Sequence, residues 1–176
     1  MPPGRNLQLT EALSEEVDHV RGPSDGRAIV EYGDYECPYS RQAFREIQRL
    51  ERELGDIRFA FRHFPLIEIH PHALAASGAA EAAARQGRFW EMHDLLFHRQ
   101  KELARDDLRR YAAELELDVD RFDEERVGDA VRRRIQRDVD SGLATGEVWG
   151  TPTLFIDGVV HRGGYDLASL RGGLVA

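Results

Sequence analysis

The sequence predicts an α/β fold in which a β-sheet layer is interrupted by an all-helical block. Three observations predict it. Strand-like runs stand at Ala28–Tyr32, Ile57–Phe61 and Thr153–His161; the first two are joined by a helix with one apolar face; and from His72 to about Gly146 every periodic segment is helical.

The elements follow in order. Residues 1–24 are polar and carry Pro2, Pro3, Gly22 and Pro23, which reads as a tail or edge segment. Ala28-Ile-Val-Glu-Tyr32 is β-rich and reads as a buried strand. The helix from Pro38 to about Leu54 places Phe44, Ile47, Leu50 and Leu54 on one face, and Gly55-Asp56 ends it. Ile57–Phe61 alternates as a second strand, and Pro65 opposes continuation past Phe64. Alanine-rich Ala73–Gln86, with Gly78, has the composition of a helix packed closely against its neighbours. Helices are also predicted at Arg88–Leu103, Asp106–Leu115, Asp118–Val127 and Asp129–Thr145, the last with Val131, Ile135, Val139 and Leu143 along a seam. Thr153–Ile156, Asp157-Gly158 and Val159–His161 carry the signature of a β-hairpin with a primed turn. Asp166 is placed to cap a last helix bearing Leu167, Leu170 and Leu174. The predicted division is an N-terminal segment 1–24, a sheet domain made of 25–66 and 147–176, and a helical insertion 67–146.

The chain has 176 residues and a net charge of −8, with 41% hydrophobic and 32% charged residues. That balance is globular, and an acidic surface disfavours nucleic acid as a partner. The basic side is almost all arginine, with Lys101 the single lysine. There is no stretch near 18 apolar residues, so no membrane span is expected, and with no apolar leader at the start the expected location is cytoplasmic. The residues set no expectation for the oligomeric state.

Cys37 is the only cysteine, which excludes an internal disulfide. It falls where the first strand gives way to the first helix, and Pro38 occupies the first helical turn, where a missing N–H costs nothing. A cysteine at a helix N-cap faces free backbone N–H groups and the positive end of the helix dipole, which favours thiolate over thiol. An unperturbed cysteine is only about 3% thiolate at pH 7; a drop of about two pKa units, roughly 2.7 kcal/mol, makes thiolate the major form.

These residues carry a resemblance. Glu31-Tyr-Gly-Asp-Tyr-Glu-Cys37-Pro-Tyr-Ser40 is similar to the active-site segment of DsbA-like proteins, which are thioredoxin-fold oxidoreductases with a helical insertion. Gly150-Thr-Pro-Thr-Leu-Phe-Ile156 resembles their cis-proline loop and the strand after it. Arg62-His-Phe-Pro-Leu66, His70-Pro-His72 and Phe89-Trp-Glu-Met-His93 resemble one bacterial branch, found alone or fused to sodium/proton antiporters. The resemblance runs from about His19 to Leu174. It implies a cis Pro152 packed beside Cys37, 115 positions away in sequence, and a Thr151 backbone free to pair with an extended substrate. Pro38 and Tyr39 then line the substrate side. Trp149 fits either that surface or the core.

Glu31 stands where the family carries a buried acid that shuttles protons, and burial would raise its pKa; an edge-strand carboxylate facing water is the other reading. Asp34 and Glu36 read as solvated, with Glu36 opposing thiolate formation if it lies near Cys37. Ser40 departs from the family's C-P-Y-C. Its hydroxyl can donate to a Cys37 thiolate but cannot resolve a mixed disulfide. The leading expectation is therefore a monothiol thiol–disulfide oxidoreductase with protein or small-molecule thiols and disulfides as partners. It needs no cofactor beyond a low-molecular-weight thiol co-substrate such as glutathione, bacillithiol or mycothiol.

Three other readings stand beside it. Ser40 is an engineered replacement in an ordinary dithiol enzyme; the protein is glutathione-transferase-like, although kappa-class transferases use serine where Cys37 stands; or it binds clients without catalysis. His70 and His72 with Glu68 make a weak metal motif, and no metal is assigned. His93 and His98 read as packing or surface residues, and Arg132–Arg134 as a solvated helix face.

Overall fold

The computed structural model describes residues 8–175, so positions 1–7 of the N-terminal segment lie outside the described residues. Five strands and seven helices follow in the order β1 (His19–Arg21), β2 (Arg27–Gly33), α1 (Pro38–Leu54), β3 (Ile57–His63), α2 (Ala73–Ala84), α3 (Phe89–His98), α4 (Arg105–Glu114), α5 (Val119–Glu125), α6 (Asp129–Thr145), β4 (Thr153–Ile156), β5 (Val159–Val160) and α7 (Leu167–Val175).

The sheet order is β1-β3-β2-β4-β5. β2 and β3 run parallel across the α1 crossover; β1, β4 and β5 pair antiparallel with their neighbours. The N-terminal segment thus supplies the edge strand β1, and the helical block α2–α6 lies between β3 and β4 in sequence. Strand alternation sends Ile29, Glu31, Phe59 and Phe61 to one face and Val30, Tyr32 and Ala60 to the other. The first face is covered by Phe44, Ile47 and Leu50 of α1, by Met92, Leu96 and Phe97 of α3, and by Leu170 and Leu174 of α7. The opposite face carries Phe64, Val148, Phe155 and Val160, with Val139 of α6 packed against it.

Local sequence explains most of the elements. α1 begins at Pro38 and ends on Gly55, whose φ of 72° is the left-handed conformation glycine tolerates. Both residues of the Asp157-Gly158 turn have positive φ, 47° and 83°, as a primed hairpin turn requires. In α2 the alanines Ala76, Ala79, Ala80 and Ala83 are fully buried, and a Cβ at Gly78 would lie 2.4 Å from the Arg126 carbonyl oxygen. Small side chains are what let α2 approach its neighbours so closely.

Three expectations are corrected. The seam of α6 holds Val131 and Ile135, leaves Val139 half-buried and exposes Leu143 (56%). Steps of four residues advance about 40° per step on a helix of 3.6 residues per turn, so the third step leaves the buried face. Asp138, Ser141, Gly142 and Thr145 take it over. The predicted helix Arg88–Leu103 stops at His98. Arg134 is not free in solvent: it pairs with the buried carboxylate of Asp138.

Candidate active site

The site is built where the β2–α1 connection meets the loop before β4. Cys37 is the N-cap of α1, with extended backbone and Pro38 following it. Its side chain makes no capping bond. Instead Sγ lies 3.3 Å from the carbonyl oxygen of Thr151, to which the thiol donates. The Thr151–Pro152 peptide is cis. The Tyr165 hydroxyl donates to the Pro152 carbonyl at 2.9 Å, and Thr153 Oγ1 donates to that of Gly150 at 2.8 Å, which holds the loop against the sulfur. Burial first, and then the nearness of Cys37 and Glu31, hold the Tyr165 hydroxyl above its ordinary range. Cys37, Pro152, Tyr165 and Glu31 are therefore one neighbourhood.

Cys37 is 4% exposed. The two residues after it are open to solvent, Pro38 and Tyr39 (63%), and so is Trp149 (85%), two residues before Thr151. Trp149 belongs to the surface, held by its indole N–H donating to the Gly146 carbonyl at 2.9 Å. Pro152 is buried and Thr151 half-buried.

Glu31 is fully buried in β2, between Phe61 of β3 and Leu154 of β4. The reading as a water-facing edge carboxylate is excluded, because β2 has a strand on either side. Neither carboxyl oxygen has a hydrogen-bond partner among the described residues. Burial raises its pKa from 4.5 to about 8, against a smaller opposing pull from Arg21. Gly33 makes room for it: a Cβ there would come within 2.8 Å of Glu31 Oε1.

The loop acids differ from the expectation of solvated carboxylates. Asp34 is fully buried and works as a hub. Its Oδ1 accepts from the Glu36 N–H at 2.8 Å; its Oδ2 accepts from the Leu66 N–H at 2.8 Å and lies 2.7 Å from His70 Nδ1. A buried carboxylate is tolerated when hydrogen bonds satisfy its oxygens, and here backbone N–H groups of two loops converge on it. Glu36 is half-buried, and its carboxylate turns away to accept from the His72 N–H at 2.7 Å. Together they pin the β3–α2 loop to the Cys37 loop. An Asp34→Asn variant is expected to lose about 1–2 kcal/mol of stability, since the amide cannot accept at both former oxygens. Urea denaturation at pH 7 checks this through a lower midpoint at unchanged slope.

Ser40 does not bond to Cys37. Its buried hydroxyl accepts from the Asp34 N–H at 3.2 Å. The Cys37 N–H donates to the Asp34 carbonyl at 3.1 Å, so one peptide stretch holds both positions. Two further residues escaped sequence reading. Gln100, just past α3, donates from Nε2 to the carbonyls of Tyr35 and Cys37, both at 2.8 Å. Tyr165 braces the proline loop as described. Neither lies in a local pattern, so no periodicity or motif marks it. His70 is taken up by Asp34, and His93 is buried with Nδ1 2.9 Å from the Tyr35 hydroxyl.

A parallel β2–α1–β3 unit, three antiparallel strands, an N-cap cysteine and an adjoining cis-proline loop define the fold class of thiol–disulfide oxidoreductases of the DsbA-like type. The family model described as thioredoxin matches residues 14–174, and the chain belongs to that family. It is similar to the Na(+)/H(+) antiporter NhaA 1 of Salinispora arenicola, with 43% identity over 97% of this chain; it spans 28% of that protein's length. Among solved structures it is similar to a thioredoxin-like oxidoreductase from Silicibacter pomeroyi, with a TM-score of 0.81, 24% identity and coverage of 98% of this chain and 96% of the other. It is also similar to the thiol-disulfide exchange protein alpha-DsbA2 of Wolbachia pipientis, with a TM-score of 0.78, 20% identity and coverage of 92% and 87%. Among the described residues no helix is long and apolar enough to cross a membrane.

Proposed function

We propose that this chain is a monothiol thiol–disulfide oxidoreductase. The observation that carries the reading is Cys37 at the α1 N-cap, its sulfur against the Thr151 carbonyl beside Pro152, with a hydroxyl instead of a sulfur at position 40.

The chemistry is a two-step exchange. The Cys37 thiolate attacks one sulfur of a disulfide R–S–S–R′, forming Cys37–S–S–R and releasing R′S⁻. A second thiolate R″S⁻ then attacks the R sulfur, forming R–S–S–R″ and returning Cys37 as thiolate. Electrons balance without a further oxidant. Ser40 offers no sulfur for the second step, so the outside thiol is obligatory. Millimolar free thiol is the medium this needs, which a reducing compartment such as the cytoplasm supplies.

Each site residue has a part. Pro38, Tyr39 and Trp149 form the apolar surface on which the client rests. The Thr151 backbone is the edge along which an extended segment pairs. Pro152 keeps that loop against the sulfur, and Glu31 exchanges a proton beneath it. Incubation with glutathione disulfide followed by mass spectrometry tests the proposal. One glutathionyl group on Cys37, removed by added thiol, is the expected result. A Cys37 that stays unmodified while iodoacetamide alkylates it would refute the reading.

A further inference from the structure

We infer that the cleft between the start of α1 and the end of α3 is a subsite for the anionic half of a small disulfide, so that the preferred co-substrate is a low-molecular-weight thiol carrying a carboxylate. This rests on the monothiol reading and names its substrate class.

The cleft has a volume of about 430 Å³ and is lined by Arg41, His98, Arg99, Gln100, Lys101 and Glu102. That size is in the range of small-molecule sites. Two of its lining residues hydrogen-bond to the nucleophile's backbone. The Arg41 N–H donates to the Cys37 carbonyl at 3.1 Å, and Gln100 Nε2 donates to the same oxygen at 2.8 Å. The cleft therefore adjoins the backbone of the nucleophile.

Its charge is the second observation. The chain carries a net charge of −8, and its arginines are mostly committed to carboxylates. Within the cleft Arg99 is neutralised by Glu114 at 2.9 Å, and Glu102 faces Arg110 at 3.6 Å. Arg41 and Lys101 have no carboxylate within 4.0 Å among the described residues. One terminal nitrogen of Arg41 reaches only the His98 carbonyl, at 3.4 Å, and its Nε has no hydrogen-bond partner. Two uncommitted cations in one cleft, Arg41 one turn past the cysteine and Lys101 just after α3, favour a carboxylate ligand on an otherwise acidic molecule. Glutathione and bacillithiol have this chemistry and mycothiol, which carries no carboxylate, does not.

In the reaction the anionic half, R, docks by its carboxylate and forms the bond to Cys37. The leaving thiolate R′S⁻ departs past Tyr39 and Trp149.

The test compares rate constants for reaction of Cys37 with glutathione disulfide, which is anionic, and with hydroxyethyl disulfide, which is neutral. Intrinsic reactivities cancel when the anionic-to-neutral ratio is compared between proteins. That ratio is expected to fall about tenfold in the Arg41→Gln/Lys101→Gln double variant, and again in wild type when salt is raised from about 0.05 to 0.5 M. Lys101→Glu, at an exposed position, supplies the same readout if Arg41→Gln disturbs folding. An unchanged ratio with both disulfides reacting overturns this inference and leaves the monothiol function standing. Failure of both disulfides to react overturns the two together.

Discussion

Replacing Ser40 by cysteine is expected to shorten the life of the Cys37 mixed disulfide by a factor of about a thousand. Position 40 lies on the same turn as the nucleophile. The Asp34 N–H donates to Ser40 Oγ and the Asp34 carbonyl accepts from the Cys37 N–H, so both side chains are fixed to one short stretch of backbone. A thiol placed there attacks Cys37–S–S–R from within the molecule. Well-oriented intramolecular groups reach effective molarities far above any free concentration, and even about 1 M would outrun about 1 mM external thiol a thousandfold. The measurement is acid-quenched mass spectrometry of the glutathionylated protein at fixed thiol concentration. Wild type is expected to hold the adduct until external thiol removes it, with a rate linear in thiol. Ser40→Cys is expected to lose it at a rate independent of thiol, leaving an internal disulfide. Cys37→Ala is expected to take up no adduct at all. Equal decay in wild type and Ser40→Cys would mean that position 40 does not face the reacting sulfur, and the monothiol account of this site would fail.

The pair Cys37–Pro38 was legible because a proline in a first helical turn and a cysteine just before it are local signals, readable without tertiary knowledge. The same holds for the Asp157-Gly158 turn, whose two positive φ values are a property of the dipeptide. The cis Pro152 came only with the resemblance, since no local rule selects it among seven prolines. What stayed hidden was long-range. Asp34 looks like a solvated loop acid until Leu66 and His70, more than thirty positions on, bring their nitrogens to it. Gln100 and Tyr165 act through backbone carbonyls, and a carbonyl is the same in every residue, so sequence holds no trace of which one is chosen. The seam of α6 was misjudged for a different reason. A four-residue spacing looks regular on paper, but it precesses around the helix, and Leu143 ends outside.

Glu31→Gln is expected to make the protein more stable in alkaline than in acid solution relative to wild type, by about 3 kcal/mol between pH 5 and pH 8. The carboxyl is fully buried, has no hydrogen-bond partner among the described residues, and has a pKa raised by burial to about 8. In the unfolded chain the same group ionises near 4.5. Between these two values the native state holds a proton that the unfolded state has released. Stability therefore falls as pH rises through this window, and the fall is complete above pH 8. Glutamine has the same shape and stays neutral, so it removes the slope without opening a cavity. Urea denaturation at pH 5 and pH 8 measures the difference; other titrating groups act alike in both proteins and cancel. Parallel stability profiles would show that Glu31 ionises freely in the native state, for instance through water reaching it, and would end its assignment as the proton-holding acid below Cys37. A proton held at neutral pH in this position also has a consequence for exchange. The neutral carboxyl adds no negative charge beneath the attacking thiolate, whereas above pH 8 the ionised form opposes it. Glu31→Gln should therefore raise the alkaline limb of the Cys37 exchange rate, the limb on which the ionised Glu31 of wild type holds the rate down.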